Sequence, residues 1–466
     1  MRIRRRKGSG TVKRIRQGLL LAVMLFAVSA LSGCGGMPKL SFDPQDLYSL
    51  PTLPTKYTEL NNQLNTILSS GAEYAAPASG TYIQPVQLVD LDGDGRSEAV
   101  AFFRDSTAEK PLKIYIFTAV GDTYEQTDLI EGSGTAIYSI DYKDLDGDGR
   151  KELAVGWKVT VDQQVLEVYA LRPIGTETLL RTSYVKYTTA DLDQDQRQEL
   201  VVIRADDEGD GIADYYNWQE NGSLTSQSSA RISATMAELS QQGRVTKGTL
   251  QGDIPAIFVT GVTELSRTIT DILAVRNGGL SNIVLSEDTG VSREIAPYCS
   301  LYPADINGDG LTEVPCPTPL FSPVDDEVAY RQIDWRRYDG TGASEVVLRT
   351  YHDMEDGWYL QMPEGWENQI YVARTTMPDE AAVTFYVRDS GGQGPQPFLR
   401  ITTITGAGRE IKAVRGSQFL LSRRQPETIY TAELLEANDN WAYGVTADEV
   451  RAAFSLITPE WTVGDT

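Results

Sequence analysis

Between about residue 80 and residue 350 the chain alternates short apolar runs with acidic, glycine-bearing turns. Pro85–Val89, Ala99–Phe103 and Leu200–Ile203 are too short for helices, and their alternating or continuous apolar character fits strands covered on one or both faces. Further strand-like runs come in pairs: Leu112–Thr118 with Tyr124–Ile130, Val165–Leu171 with Glu177–Tyr184, and Ala329–Tyr338 with Ser344–Tyr351. Helical spacing occurs at Leu60, Leu64 and Ile67–Leu68, which predicts a helix over Tyr57–Ser70. Thr446-Ala-Asp-Glu449 is a capping box followed by apolar Val450, Ala453, Phe454 and Ile457, which predicts a closing helix.

The turns repeat one nonapeptide. Asp90-Leu-Asp92-Gly-Asp94-Gly-Arg96-Ser-Glu98 recurs as Asp144-Leu-Asp146-Gly-Asp148-Gly-Arg150-Lys-Glu152. It recurs again as Asp191-Leu-Asp193-Gln-Asp195-Gln-Arg197-Gln-Glu199 and as Asp305-Ile-Asn307-Gly-Asp309-Gly-Leu311-Thr-Glu313. The first aspartates lie 54, 47 and 114 residues apart, and the last interval is two units of 57. A unit without the acidic loop is therefore expected near residue 248, and Arg244–Leu250, the short turn Gln251–Pro255 and Ala256–Thr260 supply its strands. Five units of about four strands each predict a mainly β chain arranged as a five-bladed β-propeller.

The loop spacing suits a hard cation. Calcium gathers several oxygens from carboxylates, carbonyls and water. Acids at loop positions 1, 3 and 5 point inward when the chain curls, position 7 offers its backbone carbonyl (Arg96, Arg150, Arg197 or Leu311), and the acid at position 9 closes the shell. An EF-hand would place its bidentate glutamate at position 12 between helices. Here position 12 is Ala101, Val155, Val202 or Cys316, and both flanks read as strands. The nonapeptides resemble the calcium loops of FG-GAP/VCBS repeats, the blades of integrin-α-type β-propellers, over roughly residues 80–350. The resemblance implies structural Ca²⁺ and a propeller that serves as a binding surface. In the third loop Gln194 and Gln196 replace glycines, which leaves an acidic turn as the competing reading. Asp206, Glu208, Asp210 and Asp214 repeat the oxygen spacing off the main period, as a weaker metal site or a solvated acidic hairpin.

Charge agrees with an exported cation binder. The whole chain carries −23; its first 33 residues hold eight basic side chains and no acid, so the remainder stands at −31. Such acidity argues against nucleic acid as a partner. His352 is the single histidine. One histidine leaves few routes to Ser-His or metal-His catalysis, and it is expected at a surface or strand end. Cys299 and Cys316 bracket the fourth loop, either as a disulfide in an oxidising compartment or as two free thiols.

Residues 1–33 read as an export signal: a basic segment, then apolar Gly18–Leu31, too short for a comfortable membrane span. Leu31-Ser-Gly-Cys34 resembles a bacterial lipobox, which implies cleavage before Cys34, a diacylglyceryl group on its sulfur and anchoring at the extracytoplasmic face of a cell membrane. Residues 34–56 read as a tether, 57–79 as a helical lead-in, 80–352 as the propeller and 353–466 as a C-terminal α+β domain. That last domain is expected to hold an antiparallel sheet, from runs at Ile370–Thr375, Ala382–Arg388, Phe398–Ile404, Ser417–Ser422 and Thr428–Leu435, plus the closing helix. The expected function is a non-enzymatic binding scaffold for a protein or glycan partner. The alternatives are a polysaccharide lyase or glycosidase on a propeller scaffold, or an accessory subunit of an envelope complex.

Overall fold

Alternation within the second strand of each repeat explains how the sheets stack. In the computed structural model, Leu153, Val155 and Trp157 pack toward the preceding sheet with Val100, Phe102 and Ile114, while Ala154 packs toward the following one with Leu200 and Val202. The next strand repeats the device: Leu200 and Val202 face backward, Val201 and Ile203 face forward onto Val245, Ile257 and Val259. A strand buried on both faces must be apolar throughout, and each such side chain contributes about 1.5–3 kcal/mol by leaving water.

The structure describes residues 57–458 except 122, 174, 323–329, 389–391, 393 and 425–426. The signal segment, Cys34 and the tether lie outside the described residues. The described residues from Glu59 onward belong to one compact unit. Among the described residues no helix is long and apolar enough to cross a membrane.

The described chain is mainly β, in six antiparallel sheets. The first holds β1 (Glu73–Tyr74), β2 (Val86–Val89), β3 (Glu98–Arg104), β4 (Leu112–Val120) and β5 (Thr123–Gly132). β2 and β1 both pair with β3, along successive parts of its length. The second comprises β6 (Ala136–Lys143), β7 (Glu152–Lys158), β8 (Gln164–Leu171) and β9 (Thr176–Tyr184). The third comprises β10 (Lys186–Ala190), β11 (Glu199–Ala205), β12 (Gly211–Trp218) and β13 (Leu224–Arg231). The fourth comprises β14 (Arg244–Leu250), β15 (Ile254–Val262), β16 (Arg267–Arg276), β17 (Gly279–Asn282) and β18 (Ile295–Pro297). It carries the short turn expected at Gln251–Pro255.

The fifth sheet departs from the expected boundary at residue 353. It runs β19 (Glu313–Leu320), β20 (Tyr330–Tyr338), β21 (Ser344–Asp353), β22 (Trp358–Gln361) and β28 (Phe454–Leu456). The segment expected to open a separate domain thus pairs with β21, and a strand from near the C-terminus closes the same sheet. The sixth sheet follows the order β23 (Ile370–Met377), β24 (Glu380–Val387), β25 (Gln396–Ile404), β27 (Thr428–Leu434) and β26 (Phe419–Arg424). Its core joins the fifth sheet's: Tyr351, Trp358 and Leu360 pack with Val383, Phe385 and Phe398.

The helices are few and short. Thr58–Ser69 buries Leu60 and Leu64, and Gln63 Nε2 donates to the Tyr124 carbonyl at 2.5 Å. The Thr446–Glu449 capping box forms as expected, but its helix stops at Ala453. Phe454 leaves the helix because its backbone pairs with Leu360 of β22.

Candidate metal sites

The first three acidic loops each join two paired strands, β2 to β3, β6 to β7 and β10 to β11, whereas the fourth leads into β19 from a single bridge between Ala304 and Glu313; their shape comes from their own carboxylates. In the first loop Asp90 Oδ1 accepts the Gly93 N–H (2.8 Å) and Oδ2 the Gly95 N–H (3.1 Å). Asp92 and Asp94 each accept the N–H two residues on, and Glu98 Oε2 accepts the Leu91 N–H at 2.8 Å. The second loop repeats every one of these bonds around Asp144, Asp146, Asp148 and Glu152. Glycines at the fourth and sixth positions have φ near +75 to +87° in both loops, the left-handed region that side chains resist.

The third loop keeps the same backbone without glycine. Gln194 and Gln196 sit at φ +63° and +74°. Gln196 N–H still reaches Asp191 Oδ2 at 3.0 Å, and Glu199 Oε2 still holds the Leu192 N–H at 2.7 Å. The Gln194 side chain donates instead to the Asp253 carbonyl in the short turn of the fourth sheet, at 2.8 Å. Asp191 Oδ1, whose counterparts accept the N–H of Gly93, Gly147 and Gly308, is buried without a partner, and Glu199 Oε1 is buried with no well-formed hydrogen bond, the Tyr215 hydroxyl lying near its carboxylate. A buried carboxylate oxygen without a donor is costly, a cost that a bound cation would relieve.

Three loops converge their acids. Asp191, Asp193, Asp195 and Glu199 bring oxygens within 4.8 Å of one another, as do Asp90, Asp92 and Asp94, and also Asp144, Asp146 and Glu152. These donor sets fit a hard oxygen-seeking ion. Burial pushes the Glu152 and Glu199 carboxyls up to about 7, against the N–H donors of Leu145 and Leu192 that pull them down, and the neighbouring aspartates push further upward. Asp94 is instead held below the usual carboxylate range by the Arg96 guanidinium, which forks onto its Oδ2.

The fourth loop differs. Asp305 orders Gly308 and Gly310, and Glu313 Oε2 holds Ile306 N–H at 3.3 Å. Arg337, reaching across from β20, pairs with Asp309 and donates Nε and Nη2 to Glu313 Oε1 at 3.2 and 3.0 Å. A residue far along the chain thus enters a site that local spacing alone equated with the first two. The signal lies in strand register: Arg337 stands directly opposite Glu313.

The weaker candidate is not assembled. Asp206 caps its own turn through Glu208 N–H and Asp210 N–H. Asp210 pairs with Arg231, and Asp214, buried on β12, pairs with Arg204 at 2.5 Å. Cys299 and Cys316 are both free thiols. His352 lies at the end of β21, one of the two placements expected; it is half-buried and stacks on Tyr359, its Nε2 lies 2.9 Å from Thr350 Oγ1, and burial pushes its pKa down to about 3.

Neighbouring loops touch in a row. Lys151 N–H of the second loop donates to the Leu91 carbonyl of the first at 2.8 Å. A Cβ at Gly93 would lie 2.6 Å from the Gly149 carbonyl oxygen, and one at Gly147 would meet the Arg197 side chain at 3.3 Å. Thr312 N–H of the fourth loop donates to the Thr249 carbonyl near the short turn, at 2.8 Å. Away from this row, a cavity of about 400 Å³ opens between the first two sheets, with Glu131, Trp157, Glu167 and Arg181 in its wall. Its two carboxylates are both paired, Glu131 with Lys113 and Glu167 with Arg181.

No curated protein matches the chain. A solved protein from Lactobacillus plantarum is 12% identical over 78% of this chain and 95% of its own, with a TM-score of 0.25, a likeness too loose to fix the fold. Residues 90–155, from the first aspartate of the first loop through the start of β7, match the FG-GAP-like repeat family.

Proposed function

We propose that this chain is a calcium-stabilised, lipid-anchored binding scaffold on the extracytoplasmic face of a cell membrane. Its first five sheets would be the blades of a β-propeller, and its sixth an accessory α+β layer. The observation that carries the calcium reading is the pair of buried oxygens without a well-formed hydrogen bond in the third loop, Asp191 Oδ1 and Glu199 Oε1, among four converging acids. Asp90, Asp92, Asp94 and Glu98 would hold a second ion, and Asp144, Asp146, Asp148 and Glu152 a third. The ion supplies positive charge and coordination; the chain's own N–H groups already aim the carboxylates. The FG-GAP-like match over the first two loops supports the scaffold reading.

Anchoring rests on the lipobox resemblance at Leu31–Cys34, and two or more acyl chains would hold such a protein on a bilayer stably. A scaffold is favoured over a glycosidase because the cavity carboxylates are ion-paired, and Glu131 is held below its usual range by Lys113. A general acid needs the opposite shift. The partner is a protein or glycan bound by the sheet edges and loops. Thermal melts of the mature protein with millimolar calcium and with chelator test the central claim: calcium should raise the midpoint by many degrees, and coincident melts would end the reading.

A further inference from the structure

We propose that Arg337 is the resident cation of the fourth acidic loop, which therefore stays ordered without a metal and takes none while the guanidinium is in place. This rests on the reading that the first three loops bind calcium.

Strand register sets the fourth loop apart. The strand after each loop begins with the position-nine glutamate, and the adjacent strand places one residue opposite it. Extending the strand register by one residue, Glu98 faces Thr118, Glu152 faces Ala170 and Glu199 faces Asn217. None of these is a cation. Glu313 faces Arg337. The atom left without a well-formed hydrogen bond in the third loop, Glu199 Oε1, corresponds to Glu313 Oε1, which receives two Arg337 N–H groups. The same guanidinium also holds Asp309, the position-five acid.

Burial strengthens the case. The Glu313 side chain is 0% exposed and the Arg337 side chain 16%, so this pair is shielded from the solvent that weakens surface ion pairs. The contrast is Arg96, whose side chain is 54% exposed and whose guanidinium reaches only Asp94 Oδ2. The loop's composition agrees: Asn307 replaces the position-three acid, and Leu311 replaces the position-seven arginine. One negative charge has been removed, and the positive charge has moved from the rim to the inside. A guanidinium cannot lose its proton in a protein, so the arrangement holds at any ordinary pH. A divalent ion would have to expel a like charge that already satisfies two of its ligands.

Calcium stoichiometry of the full-length protein, measured by equilibrium dialysis in detergent, tests this. Wild type should bind three ions and Arg337→Ala four, while Arg337→Lys, which keeps the charge, should stay at three. Asp309→Asn, in the fourth loop, should leave the count at three, whereas Asp195→Asn, at the same position of the third, should lower it by one. That second pair keeps the test decisive if Arg337→Ala fails to fold. Four ions on wild type, or a folded Arg337→Ala that still binds three, overturns the proposal alone. A wild type that binds none brings down the reading of the first three loops, and this one with it.

Discussion

The third and fourth acidic loops invert the order of merit that their sequences suggest. The third lacks both turn glycines, yet it gathers four acids and leaves two buried oxygens without a well-formed hydrogen bond. The fourth keeps both glycines, yet an arginine fills it. Turn residues govern how easily a backbone curls. What the curled loop then binds depends on the charges that the next strands bring to it. Glycine spacing is therefore a guide to loop shape and a poor guide to whether a loop is vacant for an ion.

The largest effect should come from stripping calcium. Each occupied site contributes about 3 kcal/mol when free calcium exceeds its Kd a hundredfold, so chelation should lower the melting midpoint steeply. The pH dependence of the ion-free protein has a definite sign. Folding raises the Glu152 and Glu199 carboxyls to about 7, so the folded state binds protons that the unfolded state releases above its ordinary carboxylate pKa. Their contribution is then favourable at low pH and is lost as pH climbs from about 4.5 to about 7. Chelated protein should melt higher at pH 5 than at pH 7.5, and excess calcium should flatten or reverse the difference.

Next in size is Arg337→Ala in chelator. Removing one partner of a buried pair leaves Glu313 uncompensated, at a cost of about 3–5 kcal/mol. Chemical denaturation should report that loss, and calcium should restore much of it. The same substitution with no calcium rescue would break the comparison between the two loops.

The smallest effects concern the glutamines. A left-handed non-glycine residue costs about 1–2 kcal/mol, and replacing it by glycine recovers only part of that, because glycine forfeits more backbone entropy on folding. Gln196→Gly should stabilise the protein by about 0.5–1 kcal/mol. Gln194→Gly should gain less, because it also loses the bond to the Asp253 carbonyl. Denaturation midpoints of the two variants side by side would rank them.

Local patterns carried most of the element assignment. The sixth sheet's strands fall close to the apolar runs that predict them, and the Thr446–Glu449 box forms as spaced. The loop acids were legible because positions 1, 3, 5 and 9 are a nine-residue property. Arg337 was not, since it lies 24 residues from Glu313 and only strand register joins them. Phe454 was misplaced into the closing helix because its apolar side chain fits either period, and the edge of β22 decides between them. His352 falls at a strand end, where the sequence places it, but the stacking of Tyr359 on its ring joins residues of two strands and is not legible locally.

The return of Phe454–Leu456 to pair with β22 has a practical consequence for anyone dissecting the protein. A protease nick in a turn of the sixth sheet would not release two pieces, because the C-terminal fragment stays stitched to the fifth sheet by main-chain bonds. Shortening the gene ahead of Phe454 would do more harm than a nick. It would bare the Trp358–Gln361 edge, and a naked edge invites other chains to pair with it and precipitate.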